Sequence, residues 1–293
     1  MRCEPNARWI ALSALLLSAL VAPGTAGAQV QFFENGAARG IGNYFRANGE
    51  GVGIAAADFD NDGDIDFFVP NARLRPDQLY RNLGNGHFEE IAAAAGLAEL
   101  QQSRAALWFD YDGDQRLDLL VASDCFGVSS ACAGLQTLRL YRQLEEGVFV
   151  EVTAAAGLAG VMPLAEVYHI GGMAAGALHG DGHLGPYVAT WTDQPAPRRP
   201  ALFLNGGSGR FVDITAVSGV GGTNDRAWQP ILHDFDGDGR VDIYAAVDFT
   251  ANRLWRNQGG AIPTFVDVAP AAGLANAMND MGVTLGDPDN DGD

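Results

Sequence analysis

The chain has 293 residues, 47% of them hydrophobic and 18% charged, enough for one large or two ordinary domains with a buried core. Its formal net charge is −18 and all 18 basic residues are Arg, which excludes nucleic-acid binders as a class, because phosphates need a basic surface. Half of the 36 acidic residues lie in four short strings of alternating Asp and one weaker copy, so the charge is gathered where a cation would sit.

Residues 1–28 have the layout of an export signal. Arg2 and Arg8 make a basic start, residues 9–22 form an apolar run, and Ala26-Gly27-Ala28 is a small-residue cleavage site before Gln29. The apolar run is too short for a membrane span, which needs about 20 residues, and no other stretch qualifies. The expectation is a secreted or periplasmic domain over 29–293, without a transmembrane span. Next comes "FFENGAARGI", with Gly40 eight positions after Phe32. That spacing is the signature of a fourth strand, found below in every repeat, but here no strands precede it. It predicts that residues 30–41 complete a closing blade by pairing with strands beyond residue 293.

The first full repeat starts with "GVGIAAADF", strand one. An acidic loop follows, D-F-D-N-D-G-D-I-D over residues 58–66, then "IDFFVPN" as strand two, "QLYRN" as strand three, a Gly-Asn-Gly turn at 84–86, and "FEEIA" as strand four. The second repeat has D-Y-D-G-D-Q-R-L-D at 110–118 and "LYRQ" at 140–143, with a longer connection between strands two and three. That connection holds Cys125 and Cys132. In an oxidising compartment two Cys in one loop can pair, two buried thiols being the alternative. Residues 158–172 read as a long connection into the third repeat, whose loop "ALHGDGHLG" has Ala177, His179 and Gly185 where Asp should stand. The segment 191–201, "WTDQPAPRRPA", reads as another long loop. The fourth repeat carries D-F-D-G-D-G-R-V-D at 234–242 and "LWRN" at 254–257. A fifth loop begins at Asp287 and reaches Asp293, where a hydrophobic residue and a ninth-position Asp should follow, so the chain reads as a fragment cut inside a repeat.

The loop starts at 58, 110, 177, 234 and 287 set a period near that of a four-stranded β-propeller blade. One blade cannot bury both faces, whereas blades packed around a ring can. The predicted fold class is therefore all-β, a propeller of four-stranded antiparallel blades, with about four and a half blades present.

The loops predict a hard dication. Ca²⁺ takes six to eight oxygens, and alternating Asp in a tight turn points several carboxylates inward. The side-chain ligands expected are Asp58, Asp60, Asp62 and Asp66; Asp110, Asp112, Asp114 and Asp118; and Asp234, Asp236, Asp238 and Asp242. The carbonyls of Asp64, Arg116 and Arg240 would add one ligand each, and Asp287, Asp289, Asp291 and Asp293 would start a further site. An EF-hand is excluded, because position twelve is Val69, Val121 or Ala245 instead of Glu. Mg²⁺ fits less well, since it prefers to keep several waters. Gln115 stands where the other loops have Gly, which raises the backbone cost of the second loop. His179, Asp181 and His183 alternate and could take a transition metal, but a decayed Ca²⁺ loop explains them more simply.

The acidic loop, followed by L-Y-R-N and by phrases such as "FVEVTAAAGL", resembles the FG-GAP/VCBS repeats of the integrin-α N-terminal propeller type. The A-G-L phrase is most similar to the ASPIC/UnbV and cartilage acidic protein group. The resemblance covers residues 30–293, although the literal Gly-Ala-Pro is missing. It implies seven blades, Ca²⁺ in the loops between strands one and two, and a C-terminal ASPIC domain that this chain does not reach.

Long loops on a rigid scaffold tend to carry function. Trp191, Asp193, Arg198 and Arg199 could bind a carbohydrate or an acidic partner, the plainer reading being a solvated Pro-rich loop. No H-E-x-x-H or G-x-S-x-G motif occurs. The expected function is a non-catalytic recognition or adhesion module for an extracellular protein or carbohydrate, with structural Ca²⁺. The alternative is a propeller that supports or forms a secreted carbohydrate-active enzyme, a lyase or hydrolase.

Overall fold

The structure is a computed structural model that describes residues 34–41, 53–72, 75–124, 136–162, 169–191, 200–220 and 226–286. The chain divides into two compact units, Met1–Asn35 and Gly36–Asp293, and the second holds the fold. Among the described residues its strands form four antiparallel sheets, one per repeat, the first three of four strands and the last with a fifth strand added, beside a separate two-stranded pair. The first is β1 (Ala55–Ala57), β2 (Asp66–Val69), β4 (Gln78–Asn82) and β5 (Phe88–Glu90). The second is β7 (Ser103–Phe109), β8 (Asp118–Ser123), β9 (Leu138–Glu145) and β10 (Val148–Glu151). The third is β11 (His169–Gly176), β12 (Gly185–Trp191), β13 (Ala201–Asn205) and β14 (Phe211–Asp213). The fourth is β15 (Ala227–His233), β16 (Asp242–Ala251), β17 (Arg253–Asn257) and β18 (Phe265–Asp267). Strand order within each sheet follows the chain, as in a propeller blade.

The second strands are the most buried. All six residues of β8 are buried, because both faces of each inner blade are covered by neighbours and Leu, Val and Ala suit that position. Three cores lie between consecutive blades. Phe59, Phe68 and Leu79 of the first blade meet Leu119, Tyr141 and Phe149 of the second. Tyr111 and Leu140 of the second meet Val188 and Phe203 of the third. Tyr187 and Leu202 of the third meet Ile243 and Trp255 of the fourth. The first strands face one another in turn, β1 on β7, β7 on β11 and β11 on β15, which places them at the inner edge.

After the fourth strand, the A-G-L phrase forms a helical turn that sequence periodicity does not announce: Ala92–Ala95, Thr215–Ser218 and Ala269–Ala272. Each ends on a left-handed Gly, with φ of 82° at Gly96 and 90° at Gly219. Glycine is required there twice over. A β-carbon on Gly96 would stand 2.8 Å from the Phe149 carbonyl oxygen, and one on Gly219 would stand 2.9 Å from that of Phe265. The recurring Gly is thus the point where one blade's turn touches the next blade's fourth strand.

Gly40 makes the same contact with the Phe88 carbonyl. The described part of the N-terminal segment is the 3-10 turn Ala37–Arg39 and Gly40, so it stands where a turn preceding the first blade belongs. Of the closing strand expected over 30–41, residues 34–41 are described and form no strand, because the turn at Ala37–Arg39 takes their place; residues 30–33 lie outside the described residues.

Other differences have local causes. Strand one of the first repeat is only Ala55–Ala57. The connection expected over 158–172 ends before His169, and Gly171 and Gly172 lie inside β11 at a register shift. A β-carbon on Gly171 would meet the backbone of Ala227 and Trp228 at 2.5 Å, so these glycines serve blade contact. The pair β3 (Arg75–Pro76) with β6 (Leu100–Gln101), and β19 (Ala277–Asn279) on the long β16, join segments too short to show a sequence period. No helix among the described residues is long and apolar enough to cross a membrane.

Candidate metal centre

Each acidic loop joins strand one to strand two. All four loops turn through left-handed residues at positions four and six: Asn61 and Gly63, Gly113 and Gln115, Gly180 and Gly182, Gly237 and Gly239. Gln115 has φ 68°, the strained conformation its position in the second loop implies. The third loop keeps this bend without its acidic set, so loop shape and acidity are separable.

The first Asp of each string shapes the turn. Asp58 accepts the N–H groups of Asp62 and Gly63, both at 3.0 Å. Asp110 accepts from Gly113 at 2.7 Å and Gln115 at 2.8 Å, and Asp234 from Asp238 at 3.1 Å and Gly239 at 2.7 Å. The Gly239 N–H lowers the pKa of the Asp234 carboxyl. The fifth-position Asp accepts the N–H two residues on, as Asp62 does from Asp64 at 2.9 Å.

The ninth-position Asp is a clamp. Asp66 accepts the Phe59 N–H at 3.2 Å on one oxygen and the Asn82 N–H at 2.7 Å on the other. Asp118 does the same for Tyr111 and Gln143, and Asp242 for Phe235 and Asn257. All three are buried, and burial raises their carboxyl pKa values, to about 6 for Asp66 and about 7 for Asp118. In the third blade a side chain at Gly185 would collide with the Phe203 carbonyl, so this clamp has no room there.

Three carboxylate groups converge. One oxygen each from Asp58, Asp60 and Asp62 lie within 4.8 Å of one another, as do those of Asp110, Asp112 and Asp118, and of Asp234, Asp236 and Asp242. Asp60 Oδ1 and Asp112 Oδ1 are buried without a hydrogen-bond partner among the described residues. A buried carboxylate oxygen with no donor is unfavourable unless a cation takes it, so the donor set fits a hard, oxygen-seeking dication. His179, Asp181 and His183 do not converge in this way; His179 Nδ1 is 3.9 Å from Asp181. Asp287, Asp289, Asp291 and Asp293 lie outside the described residues, as do Cys125, Cys132, Asp193, Arg198 and Arg199.

One part of the repeat was written in the sequence as the Asn of L-Y-R-N without its role being legible. The Asn205 amide donates to the Tyr111 carbonyl of the preceding blade at 2.7 Å and to Leu184 of its own loop at 3.1 Å. Asn257 donates likewise to Leu178 and Val241, both at 3.0 Å, and Gln143 reaches Phe59 at 3.3 Å. In the second, third and fourth blades the amide near the end of strand three therefore reaches the strand-one to strand-two loop of the blade before it, whereas Asn82 of the first blade donates to Ile65 of its own loop. Its recurrence at the end of an apolar strand was the available signal.

At the other end of these strands Trp191 and Trp228 both donate their indole N–H to Asp248 Oδ2, at 3.1 and 3.4 Å. The Arg226 guanidinium lies 5.9 Å from the Trp191 ring and 5.4 Å from that of Phe249. Nearby, Asp124 holds Arg104 at 2.9 Å and the Ile170 N–H at 3.1 Å. Burial works to raise the Asp124 pKa, but hydrogen bonds from His169 and the Arg104 charge outweigh it and hold it low.

Among curated proteins the chain is similar to cartilage acidic protein 1 of Homo sapiens, 26% identical over 215 residues, and of Xenopus tropicalis, 27% identical over 212 residues. Each match covers 67% of this chain, and the chain spans 30% of the length of these relatives. Among solved structures, one titled for recognition of non-reducing terminal N-acetylglucosamine by an Agrocybe aegerita lectin aligns over 73% of this chain and 50% of its own, with 15% identity and TM-score 0.39. The model of the FG-GAP-like repeat matches residues 58–121, 186–245 and 234–293, together more than half of the chain. The chain belongs to the FG-GAP-like repeat family.

Proposed function

We propose that this protein is an exported, calcium-stabilised recognition module, with a signal peptide over residues 1–28 and a propeller over 29–293 that further blades would close to seven. The buried, donor-less Oδ1 atoms of Asp60 and Asp112 carry the calcium reading. Asp58, Asp60, Asp62 and Asp66 would hold the first ion with the Asp64 carbonyl. Asp110, Asp112, Asp114 and Asp118, with the Arg116 carbonyl, would hold the second. Asp234, Asp236, Asp238 and Asp242, with the Arg240 carbonyl, would hold another. The ion would supply positive charge at the blade edge and fix the strand-one to strand-two hairpin. Calorimetric titration of the purified chain with Ca²⁺ tests this, with thermal melts in Ca²⁺ and in EDTA. Binding heat and a raised melting temperature are expected; neither one appearing would overturn it.

The ligand face is assigned to the strand ends opposite the acidic loops, where Trp191, Arg226 and Phe249 stand together. Phe249 has φ 63° and is more than half exposed, and backbone strain at an exposed aromatic is typical of a functional surface. The partner class is an extracellular protein or a carbohydrate. Supporting a secreted lyase or hydrolase is the weaker reading: the His169, Asp124 and Arg104 cluster on the inner strands offers the residue types, but Arg104 and Asp124 are buried in their own ion pair.

A further inference from the structure

The three acidic loops share one backbone plan but differ in the cations the protein itself supplies. In the second blade Arg142 Nε is 2.7 Å from Asp112 Oδ2, and its Nη2 is 3.1 Å from Asp114 Oδ2. Arg116 also pairs with Asp114, and its Nε donates to the Gln143 carbonyl at 3.2 Å, which fixes the side chain along the loop. The fourth blade repeats the set. Arg256 Nε is 2.6 Å from Asp236 Oδ2, its Nη2 is 3.5 Å from Asp238 Oδ2, and Arg240 pairs with Asp238 while donating to the Asn257 carbonyl at 2.9 Å.

The first loop differs at both arginine positions. Its seventh position is Asp64, and the strand-three Arg81 pairs with Glu89 at 2.7 Å, so that its charge acts on Asp60 only from beyond ion-pair distance. The first loop therefore carries five carboxylates with no guanidinium at ion-pair distance among the described residues, against four carboxylates and two guanidiniums in each of the others. Dication affinity in oxygen-lined loops is tuned by ligand charge count and site rigidity. Like charges packed closely also oppose the loop that holds them when no cation is present.

We propose that Arg116 with Arg142, and Arg240 with Arg256, are built-in counter-cations. They hold the second and fourth loops formed without metal and weaken the affinity of those loops for a dication. The first loop, which lacks them, is the high-affinity, metal-dependent one. The affinity order rests on the calcium reading above; the counter-cation role does not, since it acts in the metal-free protein.

The test is a Ca²⁺ titration followed by hydrogen exchange of the three loops, with melting in EDTA at low salt. Protection at 58–66 is expected at a Ca²⁺ concentration at least about tenfold below that needed at 110–118 and 234–242. Asp64→Arg should weaken the first loop about tenfold. Arg142→Gln should tighten the second loop severalfold and lower the melting temperature in EDTA, whereas Arg142→Lys, which keeps the charge, should stay close to the parent. Equal affinities at all three loops, or weaker Ca²⁺ binding in Arg142→Gln, would overturn the affinity order. An unchanged EDTA melting temperature in Arg142→Gln would overturn the counter-cation role. Absence of binding at every loop, with that melting temperature still lowered, would remove the calcium reading and its affinity order and leave the counter-cations standing.

Discussion

Asp66, Asp118 and Asp242 each accept a loop N–H on one oxygen and a strand-three N–H on the other. Burial raises their carboxyl pKa values above the ordinary 3.8, to about 6 at Asp66 and about 7 at Asp118. The folded state then binds more protons than the unfolded chain between pH 4 and 7, so metal-free stability falls as pH rises through that window. Melting in EDTA should therefore drop by about 5 °C or more from pH 4.5 to 7.5, and saturating Ca²⁺ should remove the decline, because the ion favours the carboxylate form. A flat profile in EDTA would show that these carboxyls are not raised. The amide latch makes a second prediction at this scale. Asn257→Ala leaves the Leu178 and Val241 carbonyls without their donor at a buried position, and should cost about 2–3 kcal/mol in urea unfolding. The exposed Gln258, one residue on, should tolerate Ala within about 0.5 kcal/mol.

At the scale of the element, the turn after strand four is where blades meet, and its glycine reports that meeting. Gly219→Ala must adopt φ 90° and bring a β-carbon to 2.9 Å from the Phe265 carbonyl. Gly273 has φ 74° but nothing within 4 Å of its would-be β-carbon. Gly273→Ala should thus lose only the left-handed penalty, about 1 kcal/mol, and Gly219→Ala clearly more. Equal losses in urea unfolding would show that blade contact is not what selects the glycine. The same contrast shows what was legible beforehand. Strands three and four were readable because phrases such as "QLYRN" and "FEEIA" recur; the structure places β4 on the whole of the first and β5 on Phe88–Glu90 of the second, whose Ile91 and Ala92 enter the helical turn instead. The acidic loops were readable because their spacing is rigid. The helical turns were not, since four residues such as Ala92–Ala95 are too few to show a helical period and are formed by docking. Nor were the Arg142 and Arg256 contacts, whose partners are set by the strand-two to strand-three pairing and not by local sequence.

At the scale of the whole molecule, equivalent residues have very different surroundings in different blades. The second loop position is Phe59, Tyr111 and Leu178 in the first three blades, all buried by the following blade. In the fourth blade it is Phe235, 38% exposed. The residue after the turn glycine is Leu97, Leu158 and Val220, all buried, and then Leu274, 40% exposed. The outer side of the fourth blade is therefore a blade-packing surface without a blade on it among the described residues. Met278 and Met281 extend the same apolar stretch of chain. Apolar surface of this kind is removed from water wherever a complementary face is available. The 293-residue chain should self-associate in a concentration-dependent way, seen by sedimentation velocity, and the double change Phe235→Ser, Leu274→Ser should return it to monomer while altering unfolding little. Phe59→Ser, at the equivalent but covered position, should instead lose about 3–5 kcal/mol, as large-to-small changes in a packed core do. A chain that stays monomeric at all concentrations with Phe235 intact would show that this face is already covered, and residues 287–293 and those that follow them in a longer protein would be the first place to look for the cover.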